Sequence, residues 1–278
     1  MTPELYCQEK AAPAGSSLYY STLFHNQQQK RRLHALFALQ RELLDTVTEC
    51  QDAGIARIKL QWWCEEIDRL FSSQARHPVS KALQELMPDL KLEKASLFNL
   101  VNKIEKDLSP PLAESLQQLV EHFSAGRGSI WQIAAIACGC QDSQTIAQVV
   151  SIAGLSGCME SFQMARQQLN RGYCPYPRRE MEKHGLNHET LLQQDKLPAL
   201  TELQAGLYAT IRSALGQNTL ALAANDRSSI LFALSMARIG EATCARLQKR
   251  SGDLSASHPL SLTPLRKLWI AWRSKTLT

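Results

Sequence analysis

Ser16–Glu49, SSLYYSTLFHNQQQKRRLHALFALQRELLDTVTE, is the stretch that decides how this chain folds. Leu33, Leu36, Phe37, Leu43, Leu44 and Val47 gather on one side when about 3.6 residues make a turn, so the segment reads as an amphipathic helix. Asp45 and Glu49 stand at i and i+4 near its end, the spacing that puts two carboxylates on one helix face.

The same period continues outward. Ala56, Leu60, Trp63, Ile67, Leu70 and Phe71 recur at three- and four-residue intervals, and further helices are expected over about 95–108, 112–123, 129–138, 143–169, 189–223 and 226–250. Breaks are expected at His77-Pro78, Ser109-Pro110-Pro111, Gly126 to Gly128, Gly172 to Pro177 and Ser251 to Pro259. Thr263-Pro264 is a good N-cap and first-turn pair for a last short helix. Alternating strand patterns, repeats and linkers are scarce, so residues 1–278 are expected to form a single all-α domain.

Composition narrows the function. Hydrophobic residues are 44% of the 278 and charged residues 21%, as in globular domains. The opening MTPELYCQEK carries Glu4 and Glu9 and lacks a continuous apolar run, so a cytoplasmic protein is expected rather than a secreted one. The longest apolar run, around Ile130 to Ala137, is well short of the roughly 20 residues that span a bilayer. Eight cysteines without CxxC spacing read as small buried apolar groups. None of the seven histidines has ligand spacing; His184 and His188 are separated by Gly185, a helix breaker. No Gly-rich phosphate loop, GxSxG elbow or base-stacking pattern appears, and nucleic acid is not an expected partner. The net charge of +5 is modest and spread out, Lys30-Arg31-Arg32 read as a solvated turn, and Trp62-Trp63 as aromatic core.

Nearly end to end, the chain resembles the squalene/phytoene synthase family, most closely the presqualene diphosphate synthases of hopanoid biosynthesis. The resemblance rests on Ser16–Glu49, on KLQWWCEEIDRLF followed by RHPVSKAL, and on SLTPLRKLWIAW near the end. It implies the isoprenoid (terpenoid) synthase fold, helices around a central cavity whose mouth carries two aspartate-rich motifs. In that family the aspartates hold Mg²⁺ on a prenyl diphosphate, because an allylic C–O bond ionises only when the departing charge is neutralised.

At the positions the resemblance implies for those aspartates this chain has Leu44 and Thr48 in the first motif, and Met164 and Gln168 in the second, with Gln163 in place of an arginine. Gly157 and Glu160 stand where the family has glutamine and asparagine, and Glu160 is the sole acid between Ser143 and Arg179. Leu112, Ala113 and Pro259 fall at further positions where the family has arginine, tyrosine and arginine. Ser17, Tyr20 and Arg41 keep the implied substrate-contacting types, and Asp45 and Glu160 are the acids nearest the motifs. A one-residue shift turns a side chain by about 100°, so Asp45 and Glu49 are expected to face away from the mouth as two solvated acids. Glu160 is expected to pair with Arg166 or another neighbour.

The expected function is therefore that of a catalytically degenerate member. It would need no cofactor, and would bind an isoprenoid or other apolar lipid or a protein partner, as noncatalytic relatives assisting complex I assembly do. The alternative is an active head-to-head prenyltransferase condensing two farnesyl diphosphates to presqualene diphosphate or squalene, using Asp45, Glu49 and Glu160 with Mg²⁺. Residues 264–278, with Trp269 and Trp272 among Arg266, Lys267, Arg273 and Lys275, read as an amphipathic tail helix. That helix either rests on the inner face of a membrane or docks its apolar face on the body.

Overall fold

The computed structural model describes residues 1–50, 52–110, 112–222, 229–250 and 260–276. Among these, all regular structure is helical: α1 (Pro3–Ala11), α2 (Ser17–Thr22), α3 (Gln27–Glu49), α4 (Ala53–Phe71), α5 (Pro78–Leu90), α6 (Lys94–Glu105), α7 (Leu116–Ala137), α8 (Ser143–Gln163), α9 (Ala165–Asn170), α10 (Arg178–Lys183), α11 (Leu197–Ala221), α12 (Leu231–Leu247) and α13 (Pro264–Thr276).

Local chemistry sets the starts. Asn26 accepts the Gln29 N–H at 2.9 Å and Gln29 accepts the Asn26 N–H at 3.4 Å, a reciprocal cap that opens α3. Asp52 and Asp142 cap α4 and α8 in the simpler way, accepting the N–H groups of Ile55 (2.9 Å) and Thr145 (2.7 Å). Glu66, fully buried, accepts the N–H groups of Arg76 and His77, each at 2.7 Å, and the Arg69 guanidinium, and so fixes the turn into α5. Burial alone would raise its carboxyl pKa; these bonds outweigh it and hold the group below its usual range.

α3 is the hub, packed against α1, α5, α7, α4 and α6, while α7 pairs with α8 and α11 with α12. Inside, the rings of Phe37, Trp131 and Phe232 meet at centroid distances of 5.7 Å, and Phe162 meets Tyr176 and Tyr208 at 5.5 and 6.2 Å. All eight cysteines are free, and Cys7, Cys138, Cys140, Cys158 and Cys244 are buried, as small apolar groups should be. Among the described residues no helix is long and apolar enough to cross a membrane.

Several expectations need correction. Gly126 to Gly128 do not break the chain: α7 runs straight through them. Gly128 is there for contact, since a Cβ would come within 2.7 Å of Val150 Cγ1 on α8. The segment 143–169 is divided at Met164 (φ −97°, ψ 14°), and α11 starts at Leu197 rather than 189. α5 was not expected as a helix, although Val79, Ala82, Leu83, Leu86 and Leu90 behind Pro78 carry the period. Lys30, Arg31 and Arg32 lie within the first turns of α3, where Arg31 pairs with Glu4 and Arg32 with Asp89, so they are no solvated turn. Trp63 is core, but Trp62 is 39% exposed. The expected break at Ser251 to Pro259 lies outside the described residues.

Two predictions follow from packing and burial. G128A should lower stability by about 1–3 kcal/mol through overpacking, whereas G126A, whose nearest neighbour is Lys103 Cβ at 3.9 Å, should raise it by about 0.5–1 kcal/mol; urea unfolding compares them. Burial pushes the His25 and His34 imidazoles down to about 4. A lowered folded pKa means the unfolded chain takes up protons first as pH falls. Stability is then complete above about 6.5 and declines towards pH 4, by on the order of 3 kcal/mol per histidine. Denaturation midpoints measured across that range should fall with acidification, and H25Q and H34Q should each flatten the decline.

Candidate functional site

The carboxyl end of α3 carries the first group of candidate residues. Leu44 is half-buried and packs on the hydrophobic core. Thr48 is exposed and returns its hydroxyl to the Leu44 carbonyl at 3.0 Å, so it spends that donor on its own helix. The Thr48 carbonyl, one of the last that α3 leaves unpaired, accepts from Arg171 Nη2 at 2.6 Å. This bond ties the end of α3 to the chain just past α9.

Asp45 is buried rather than solvated, against expectation. Its Oδ2 lies 3.0 Å from Lys10 Nζ on α1, and its Oδ1 is ion-paired with Arg41 Nε at 2.7 Å. Lys10 also reaches Glu42 Oε1 at 3.3 Å, and the Tyr6 hydroxyl donates to the same oxygen at 2.6 Å. Burial works against the Lys10 ammonium, but its hydrogen bond to Asp45 and the charge of Glu42 prevail and raise its pKa. Tyr6 is pushed up to about 12 by burial and by its bond to Glu42, so it stays a proton donor. Glu49 is exposed, as expected. Glu42, Asp45 and Glu49 open on a cleft of about 260 Å³ shared with Trp62, Trp63 and His77, whose rings stack edge-on at 4.9–6.0 Å.

The second group lies around the break at Met164. Gly157 is buried where α8 crosses α7; a Cβ there would sit 2.7 Å from Phe123 Cγ, so the position admits no larger residue. Glu160 is ion-paired, with Arg127 on α7 rather than with Arg166, which is exposed. Gln168 folds its amide back on Ser161, donating to the Ser161 hydroxyl at 3.1 Å. The Gln163 amide oxygen is buried and finds no partner among the described residues.

The remaining candidates are dispersed. Ser17 and Tyr20 are half-buried on α2, which packs on α12 and α13; the Ser17 carbonyl accepts from Ser21 and the Tyr20 ring meets Tyr19 edge-on at 5.1 Å. Arg41 is largely exposed apart from its pair with Asp45. Leu112 is exposed, and the Ala113 carbonyl accepts the Arg178 N–H at 2.8 Å. Pro259 lies outside the described residues. Thus Arg41 and Asp45 are brought together, while Ser17, Tyr20 and Glu160 each engage other parts of the fold. Among the described residues no three His, Cys, Asp or Glu side chains converge where they could hold a cation.

Sequence reasoning missed Lys10 and Tyr6, the partners that define the surroundings of Asp45. Their spacing at i and i+4 puts them on one face of α1, but nothing local says which acids that face meets.

Compared with known proteins, residues 11–266 match the family described as squalene/phytoene synthase. A curated relative, the NADH dehydrogenase (ubiquinone) complex I assembly factor 6 of Mus musculus, is 21% identical over 193 residues, 69% of this chain; the chain spans 58% of that protein's length. Two solved structures share the fold. Squalene synthase HpnC from Alicyclobacillus acidocaldarius aligns with a TM-score of 0.71 at 16% identity, covering 89% of this chain and 94% of its own. A dehydrosqualene synthase in complex with ligand aligns at 0.72 and 17%, covering 99% and 96%.

If Lys10 is the counterion that Glu42 and Asp45 need in order to be buried, K10M should cost about 1–3 kcal/mol. E49Q, at an exposed position, should change stability by less than about 0.5 kcal/mol. Urea denaturation of both variants measures the difference, and equal effects would dissolve the assignment.

Proposed function

This chain belongs to the squalene/phytoene synthase family, and from that premise we propose that it is a non-catalytic member, working by binding rather than by prenyl transfer. One observation carries the reading: the acids at and beside the motif helices, Glu42, Asp45 and Glu160, are each committed to a cation of the protein itself. Asp45 and Glu42 serve Lys10, Asp45 also serves Arg41, and Glu160 serves Arg127.

Mg²⁺ does not fit what remains. It demands near-octahedral oxygen ligands, and Leu44 and Met164 offer none, Thr48 donates to its own helix, and Gln168 is folded onto Ser161. Glu49 alone is a single exposed carboxylate. Release of a diphosphate leaving group through such a metal is therefore not part of this reading.

What is bound is an isoprenoid or other apolar lipid, or a protein partner. The likeness to synthases of the family supports the lipid, and the distant likeness to a complex I assembly factor supports the protein. The outer surface favours the protein: α4 and α6 frame a groove of about 510 Å³ beside Ile58 and Trp62, and Ile55, Ile58 and Trp62 form an exposed row at i, i+3 and i+7 on α4. The place of work is the cytoplasm, with the chain peripheral on the inner face of a membrane.

Purified protein incubated with farnesyl diphosphate and Mg²⁺ should release no diphosphate above a heat-killed control. Magnesium-dependent release that D45N abolishes would establish instead the head-to-head transferase reading, with Asp45, Glu49 and Glu160 as a reduced metal site.

A further inference from the structure

The last helix carries two stripes of the same spacing. Lys267, Ile270, Ala271 and Ser274, at i, i+3, i+4 and i+7, are buried. They dock α13 on α12 and α2: Lys267 Nζ donates to the Gly15 carbonyl at 2.7 Å, Arg238 Nη1 to Ser274 Oγ at 3.1 Å, and Ile270 packs with Ile239 and Leu262. Leu265, Leu268, Trp269 and Trp272 repeat the spacing two residues earlier. Two residues are about 200° of helix, so this second stripe points away from the body, and its members are 79%, 37%, 53% and 52% exposed.

The helix therefore docks with its mixed face and leaves its more apolar face outside, the reverse of what amphipathic packing alone would give. At about 100° per residue, Arg266 and Arg273 fall on one flank of the outer stripe and Lys275 on the other. All three are exposed, and α13 contains no acidic residue. Arg273 lies over the Trp269 ring at 4.9 Å and Lys275 over Phe24 at 5.3 Å, so cationic heads extend alongside aromatic surface.

We propose that the outer stripe of α13 is a docking face for an anionic lipid bilayer, with Leu265, Leu268, Trp269 and Trp272 entering the headgroup region and Arg266, Arg273 and Lys275 meeting lipid phosphates. An apolar centre holding two tryptophans, bordered on both sides by cations and free of acids, is the layout an interfacial helix needs. A helix of 13 residues is about 20 Å long, too short to cross roughly 30 Å of hydrocarbon, so α13 lies in the interface. The inference rests on peripheral membrane association and not on the absence of catalysis; the vesicle experiment and the diphosphate assay fail independently.

The full chain is floated with vesicles of phosphatidylcholine containing phosphatidylglycerol, and with pure phosphatidylcholine. It should partition onto the anionic vesicles, more weakly as salt rises, and little onto the neutral ones. W269S/W272S and R266E/R273E should each weaken partitioning by about tenfold or more. Circular dichroism and the melting temperature should stay unchanged, because none of these side chains is buried in the body. Absence of partitioning, equal binding to neutral vesicles, or binding that both double variants leave intact would overturn the proposal. So would a concentration-dependent self-association that W269S/W272S abolishes in a chain that ignores vesicles, since the stripe would then belong to a second copy.

Discussion

A carboxylate is buried at tolerable cost only with a cation close beside it, and the arrangement around α3 follows from that constraint. Glu42 and Asp45 lie where burial without a counterion would cost several kcal/mol, and α1 supplies Lys10 to both, with Tyr6 hydrogen-bonded to Glu42. A divalent ion brought to the same oxygens would have to displace the ammonium. In this chain the N-terminal helix is thus both a packing element on α3 and α5 and a built-in charge partner.

Around Met164 the same economy is reached by different means. Where α8 crosses α7 it carries Gly154 and Gly157, and the close approach leaves Phe123 against Gly157 with no room for a longer side chain. Glu160 turns to Arg127 on α7, and Gln168 turns back to Ser161. Arg171, one residue past α9, caps the Thr48 carbonyl, so a cation from this region meets the negative end of the α3 dipole rather than a diphosphate. The end of α3 and the chain just past α9 are thus joined directly by a hydrogen bond.

The all-helical fold was legible because its signal is local. The three- and four-residue spacing in α3 and α4 needs no knowledge of distant residues. Gly126 to Gly128 misled because glycine has two uses. As a breaker it acts through its own backbone; as a contact residue it acts through the helix opposite, and Val150 lies 22 residues further along the chain. The state of Asp45 was hidden for the same reason. Rotation about α3 correctly separates it from Leu44, but only the fold reveals that α1 covers that side, 35 residues earlier in sequence at Lys10. The tail was legible in composition and not in orientation, since Ile270 and Trp269 are neighbours with opposite fates.

That orientation connects the ends of the chain. α13 packs on α2, the helix bearing Ser17 and Tyr20, and Lys267 holds the Gly15 carbonyl just ahead of it. A surface that engages the outer stripe of α13 therefore also fixes how α2 is presented to that surface. Burial of Lys267 lowers its pKa, a cost offset by the bond its ammonium donates to a backbone carbonyl. Were α13 free to roll, the cheaper solution would bury Trp269 and Trp272 and release the lysine to water. The docked face is instead set by specific bonds at Gly15 and Ser274, which leaves the tryptophans available for a partner outside the chain.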